Sequence, residues 1–235
     1  MDKKYPSLSF RDRINIVKNE AEEIGQMTVD VTRKTAGLLD NYDAKIVEEI
    51  NLKSEEIDLA VFDLERTCIK FMAVEKPVAG DLLFIEATIR VISHIKRIGY
   101  LASNIAESIS KFEKVDLPKE VTDNMSFMAD YVLVMLNKSI DAFLNQDLKR
   151  ASELSDDDDK VDELFDTLLN QATKLMTEET TSNDKILSYV HIIFIARYLE
   201  RIADRTVAIG SRTIFMVTLK RPNNQPHHED EEPYN

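Results

Sequence analysis

Displaced by 104 residues, the chain matches itself without a gap, so that residues 43–109 fall on residues 147–213. The identities include charged positions: Asp43 on Asp147, Lys45 on Lys149, Glu49 on Glu153, Asp58 on Asp162, and Arg97 on Arg201. Leu64, Met72, Ile89, Ile98 and Ile105 recur as Leu168, Met176, Ile193, Ile202 and Ile209. Shared helical periodicity alone would match apolar positions but not charged ones in one unbroken register. The chain is two copies of one folding unit. The second copy is also a control for the first: chemistry kept in one and lost from the other is visible within a single sequence.

The unit is helical. Only five glycines and six prolines occur in 235 residues, with no proline between Pro6 and Pro77 or between Pro118 and Pro222. Within those intervals apolar residues recur at three- and four-residue steps, as in Ile14, Val17, Ala21, Ile24 and Val31, or Met128, Tyr131, Val132, Met135 and Leu136. That is helical period rather than strand alternation. Ser9 with Asp12 three residues on resembles a capping box and predicts a first helix to residue 39. Asp43 caps a second to residue 73, and Pro77 suits the first turn of a third running to residue 112. Three more are predicted at 119–144, 147–176 and 183–219. Helices of ~30 residues are ~45 Å long and must lie side by side. The predicted fold is all-α, two tandem repeated three-helix bundles of long antiparallel helices. The first bundle spans residues 9–112 after an arm at 1–8, and a linker at 113–118 leads to the second at 119–219. The polar, acidic tail at 220–235, with three prolines, is expected to be disordered.

Charge removes several functions. With 30 Lys+Arg against 43 Asp+Glu the net charge is −13, which disfavours nucleic acid and favours cations or a basic partner. The single cysteine, Cys68, can form neither an internal disulfide nor a thiolate zinc cage, and it fits a reducing compartment. No stretch approaches the ~20 apolar residues of a membrane span, the apolar run at 188–199 being broken by His191 and Arg197. The first residues have no apolar core of a secretory signal. A cytoplasmic protein is expected.

One constellation stands out. Asp158 and Asp162 are four apart on the predicted fifth helix, and Glu200 and Asp204 are four apart on the sixth. Antiparallel neighbours bring two such pairs together as an all-oxygen cage, suited to hard or borderline cations. The plainer reading is four solvated surface acids. The first copy has Ser54, Asp58, Lys96 and Tyr100 at these positions. Three carboxylates are gone, and Lys96 puts an ammonium where a cation would sit, so this site is degenerate, with Lys96 expected to pair with Asp58.

The segment Ala196-Arg-Tyr-Leu-Glu-Arg-Ile-Ala-Asp204 resembles the signature helix of the PhoU family. Pro77-Val-Ala-Gly-Asp-Leu82, Arg97-Ile-Gly99 with Asn104-Ile-Ala-Glu107, and Asp157-Asp-Asp-Lys-Val-Asp162 are similar to further family segments. The resemblance implies two three-helix bundles with multinuclear metal clusters on E(D)xxxD pairs. It also implies negative regulation of phosphate uptake, through contact with a phosphate ABC transporter and often a sensor kinase. A homodimer is expected too. Family practice keeps the carboxylate pairs in both copies, whereas Ser54, Lys96 and Tyr100 break the first; Arg205 stands where a His is common, and Ala203 replaces a glycine. The implied ligands are therefore Asp158, Asp162, Glu200 and Asp204, with Asp58 a remnant. The ion is iron, manganese, magnesium or zinc.

Other features are ordinary by comparison. His94 and His191 lack the E-x-x-H spacing of carboxylate-bridged di-iron proteins and are expected to be plain helix positions. His227 and His228 belong to the solvated tail. Residues 156–160 spell a protease recognition string, but they fit the repeat register and are native. Met125, Met128, Met135, Met176 and Met216 fill core, and Cys68 is buried. Arg97, Arg197 and Arg201 meet phosphate, a partner's acids or neighbouring carboxylates. With no glycine-rich phosphate loop and no Ser/His/Asp arrangement, no catalytic turnover is expected. A di-iron oxidase-like protein and a metal-free helical interaction module are the competing readings.

Overall fold

The structure, a computed structural model, describes residues 10–77, 79–111, 117–177 and 182–220. It contains α1 (Phe10–Asp40), α2 (Ala44–Glu75), α3 (Ala79–Ile109), α4 (Lys119–Asn145), α5 (Leu148–Met176) and α6 (Asn183–Thr218). The predicted bounds agree to within three residues. The arm, Ser9 of the capping box, most of the linker, and the tail with its two histidines lie outside the described residues. Among the described residues no helix is long and apolar enough to cross a membrane.

The helix starts show why the repeat register held. Asp43 caps α2 by accepting from the backbone N–H of Lys45, and Asp147 caps α5 by accepting from those of Lys149 and Arg150. The equivalent aspartate thus satisfies the orphan N–H of the second helical residue in each copy, and in the second copy that of the third as well. Lys34 pairs with Glu49 between α1 and α2, and 104 residues later Lys138 pairs with Glu153 between α4 and α5 at 2.8 Å.

Helices α1, α2 and α3 pack on one another, as do α4, α5 and α6, and the two trios join where α3 lies on α6 and α1 on α4. Each helix buries a stripe at three- and four-residue spacing, such as Ile50, Ser54, Ile57, Val61, Leu64, Cys68 and Phe71 on α2. Met125, Met128, Met135 and Met216 are buried, Met176 packs against the core as a half-buried residue, and Cys68 is inaccessible. Burial pushes the Cys68 thiol up to about 12, with Glu20 and Glu65 adding to the effect. Glu86 of α3 pairs with Arg212 of α6, and eight residues further along α3, Arg205 acts on His94. The two seam helices therefore run antiparallel.

One backbone contact sets the α5–α6 register. A Cβ on Gly210 would lie 2.7 Å from the Ala151 carbonyl oxygen and 2.7 Å from Leu154 Cδ1. The equivalent residue in the first copy is Ala106, so this intimacy belongs to the second bundle alone. Gly210→Ala is expected to cost about 1–3 kcal/mol through overpacking. Gly37→Ala, on an exposed helical position with nothing within 4 Å, is expected to be neutral or mildly stabilising. Urea unfolding followed by helical circular dichroism checks both; equal midpoints for the two variants would mean that α6 is not held close to α5 at this point.

Candidate metal centre

The Gly210–Ala151 contact places the carboxylates. Counting back along α6 and forward along the antiparallel α5 sets Asp204 opposite Asp158, and Glu200 opposite Asp162 one turn further on. Electrostatics agree. The Asp158 carboxyl is pushed up from 3.8 to about 7, first by burial and then by the negative charges of Asp204, Asp162, Glu200 and Asp159, in that order. Three of those four neighbours are the other members of the sequence quartet. Their exposure is graded: Glu200 is 5% exposed, Asp158 and Asp204 are half-buried, and Asp162 is exposed.

Asp158 is the uncomfortable member. Its Oδ1 is buried with no hydrogen-bond partner, a situation that normally demands an explanation. Glu200 has a partner within its own helix, since its Oε1 accepts from Arg197 Nη1. Among the described residues, no three His, Cys, Asp or Glu side chains stand grouped so as to hold a metal ion. The quartet is gathered electrostatically, but its side chains are not closed around a point. For donor chemistry the residues fit a hard cation, because they are all oxygen and one is buried without a proton donor.

The first copy shows the same location without the charge problem. Lys96 of α3 pairs with Asp58 of α2, and Lys96 Nζ lies 5.9 Å from the centre of the Tyr100 ring. The hydrogen bond to Asp58 raises the Lys96 ammonium above its ordinary value, while Tyr100 is raised first by burial and then by Asp58. Ser54 is buried, 4% exposed. Gly99 leaves room beside it, because a Cβ there would reach only to 3.6 Å from Ser54 Oγ and Ile57 Cδ1. The ammonium occupies the rung that Glu200 and Asp162 share in the second copy, so Asp58 is neutralised within the chain.

Two further groups frame the second site. Lys138 of α4 donates to Asp157 at 2.9 Å as well as pairing with Glu153, and the Tyr131 hydroxyl donates to Asp157 at 3.3 Å. These bonds fix the α5 turn that carries Asp158. Lys138 was missed at the sequence level, although the self-match extended back from residue 43 would have found it on Lys34. Among the expected ordinary histidines, His191 is half-buried with its ring set against Phe194 at 6.0 Å. His94 is half-buried on the α3–α6 seam among arginines. Of the three arginines singled out, Arg197 meets a neighbouring carboxylate, Glu200.

A family model described as the PhoU domain matches residues 21–109 and again residues 125–213. The two matches are offset by 104 residues, the spacing of the internal repeat. The chain belongs to the PhoU family. Phosphate-specific transport system accessory protein PhoU homolog 1 of Methanothermobacter thermautotrophicus is 47% identical over 223 residues, covering 94% of this chain and 100% of the relative. The PhoU homolog of Aquifex aeolicus is 32% identical over 185 residues, covering 78% and 81% of the two chains. Crystal structures of the phosphate transport system regulatory protein PhoU from Streptococcus pneumoniae and of PhoU from Pseudomonas aeruginosa share the fold. Each is 22% identical with a TM-score of 0.84, covering 92% and 90% of this chain and 100% of the other. In this PhoU chain the two family domains correspond to α1–α3 and α4–α6.

Proposed function

We propose that the protein is a cytoplasmic, metal-binding regulatory adaptor of phosphate uptake and phosphate-dependent signalling. It restrains a phosphate ABC transporter or its sensor kinase by protein contact and performs no turnover. Family membership and the printed names of its relatives, which are accessory proteins of the phosphate-specific transport system, support the phosphate role. The observation that carries the metal-binding part is the contrast between the copies: an internal ammonium neutralises Asp58 in the first, while the second keeps four carboxylates, of which Asp158 has its Oδ1 buried without a hydrogen-bond partner and feels the charge of the other three. Asp158, Asp162, Glu200 and Asp204 would hold an iron, manganese, magnesium or zinc ion, whose chemistry here is charge neutralisation that ties α5 to α6. Asp158, Asp204 and the exposed Asp162 would supply oxygens to it, while Arg197 holds the Oε1 of Glu200.

A metal-free adaptor is the second reading, favoured by the hold of Arg197 on Glu200. Elemental analysis of protein purified without a histidine tag separates the two. Under the first reading, phosphate-transporter components co-precipitate with the wild-type protein and are lost with Asp162→Ala plus Asp204→Ala. Metal absent but association intact supports the second reading; no association under any phosphate regime defeats both.

A further inference from the structure

The seam between the bundles brings one residue of the first copy against its own equivalent in the second. Glu86 of α3 pairs with Arg212 of α6 across the antiparallel packing. About three turns along each helix from that pair, on the same two faces, stand Arg97 and Arg201. They are equivalent in the repeat, so the pseudo-two-fold axis that exchanges the bundles passes between them. Arg97 is exposed and Arg201 half-buried. Seam positions around them have diverged between the copies: His94 corresponds to Tyr198, Leu101 to Arg205, and Ser108 to Arg212. The arginine pair on the axis has not.

Two like charges kept face to face call for a counter-charge, and the chain does not supply one. Among the described residues neither Arg97 nor Arg201 takes part in an ion pair, whereas Arg90 and Arg212 are both held by Glu86. Glu200 and Asp204, the acids within a turn of Arg201, lie on the side of α6 that meets α5. One turn from the axis, His94 is acted on by Arg205, Arg97 and Arg90, and its buried Nδ1 has no hydrogen-bond partner. In a chain of net charge −13 this is a local reversal of sign.

We propose that Arg97 and Arg201 form a clamp for one tetrahedral oxyanion of double charge, the class to which inorganic phosphate belongs. A guanidinium presents a planar fork that fits two oxygens of such an ion, and two forks match its charge. Because the forks belong to different bundles, the ion ties α3 to α6 and braces one bundle against the other. The clamp rests on the proposed phosphate-dependent regulation for its meaning, and gives that reading a ligand, but its binding is tested directly.

Titration calorimetry of the full chain, stripped of metal on a chelating resin and kept in a Tris–chloride buffer of mildly alkaline pH, supplies the test. Exposed ion pairs are weak, so saturation by phosphate at one ion per chain is expected in the millimolar range. Arg97→Gln with Arg201→Gln is expected to weaken binding about tenfold or more with helical circular dichroism unchanged. Arg97→Lys with Arg201→Lys, which keeps the charge and loses the forks, is expected to recover only part of it. Arg150→Gln, at a surface arginine paired with Asp141 and Asp147, is expected to bind as wild type. Phosphate is also expected to protect Arg97 and Arg201, but not Arg150, from modification by phenylglyoxal. Sulfate separates the sources: equal saturation marks a general dianion clamp, and weaker saturation a clamp fitted to phosphate. Asp162→Ala plus Asp204→Ala is expected to bind phosphate undiminished, so the clamp can fail while transporter association stands, and the reverse. No saturable binding, a double glutamine variant that binds as wild type, binding lost with the carboxylates, or protection shared equally by Arg150 overturns the proposal.

Discussion

Asp158→Asn is expected to raise the melting temperature of the metal-free protein by several degrees at neutral pH and to abolish any further rise on adding a divalent cation. The reasoning begins with the proton. The Asp158 carboxyl is raised from 3.8 to about 7 in the folded chain, by burial and by Asp204, Asp162, Glu200 and Asp159. A carboxyl that holds its proton more tightly folded than unfolded makes stability fall as pH rises through the window from about 4 to about 7. Above that window the folded state carries the cost of the ionised group, reduced by the part of it that water still reaches. Asparagine keeps the shape and removes the charge. In the wild type a bound cation would offset the same cost, giving a melting temperature that climbs with free metal concentration. Thermal scans at neutral pH with chelator, manganese or magnesium read both effects. An Asp158→Asn variant less stable than wild type in chelator would show that a partner already stabilises the charge. One stabilised by metal as fully as wild type would place any bound ion elsewhere.

Such a variant separates what the fold needs from what the site keeps. Nothing in the packing of α5 requires a charge at Asp158, since the equivalent Ser54 sits buried in the first bundle without one. Groups that lower stability and persist at one place in a repeat are characteristic of functional sites.

The helices were legible because each bundle repeats its own punctuation. Asp43 and Asp147 both cap by accepting from the second helical N–H, and the apolar residues between the caps keep helical period. The pairing of Lys96 with Asp58 was also legible, because the repeat puts an ammonium and a carboxylate on one rung of facing helices. Spacing fixes which face of a helix a residue occupies, but it says nothing of how closely two helices approach. The approach of α6 at Gly210, the burial of Asp158, and the turn of Glu200 toward Arg197 all depend on that distance. The acidic quartet was visible as four residues on two faces, while its protonation and its openness were not. His94 illustrates the same limit. As a sequence position it is an ordinary helical histidine; only the antiparallel seam brings Arg205 against it.

That seam carries the second large expectation, a wild type in which two titrations of opposite sign partly offset each other between about pH 4 and 6.5. His94 is lowered from 6.5 to about 4, first by burial and then by Arg205 on α6 and by Arg97 and Arg90 on its own helix. Its Nδ1 is buried with no hydrogen-bond partner. Between those two values the unfolded chain binds the imidazole proton and the folded chain does not, so this group makes stability rise with pH. Across the same interval Asp158 binds its proton in the folded chain and releases it in the unfolded one, which makes stability fall. The His94 contribution is on the order of 3 kcal/mol; that of Asp158, weakened by its partial exposure, has the opposite sign. Removing either group should expose the other. Asp158→Asn is expected to lose stability steeply as pH drops from 6.5 toward 4. His94→Phe, whose ring follows the aromatic Tyr198 at the equivalent position of the second copy, is expected to gain stability over the same drop. Urea midpoints of the metal-free variants at half-unit pH steps decide it. Parallel profiles for the two would mean that His94 and Asp158 do not carry these opposed titrations, and that the arginines of the α3–α6 seam leave the histidine as free to take a proton as it is in the unfolded chain.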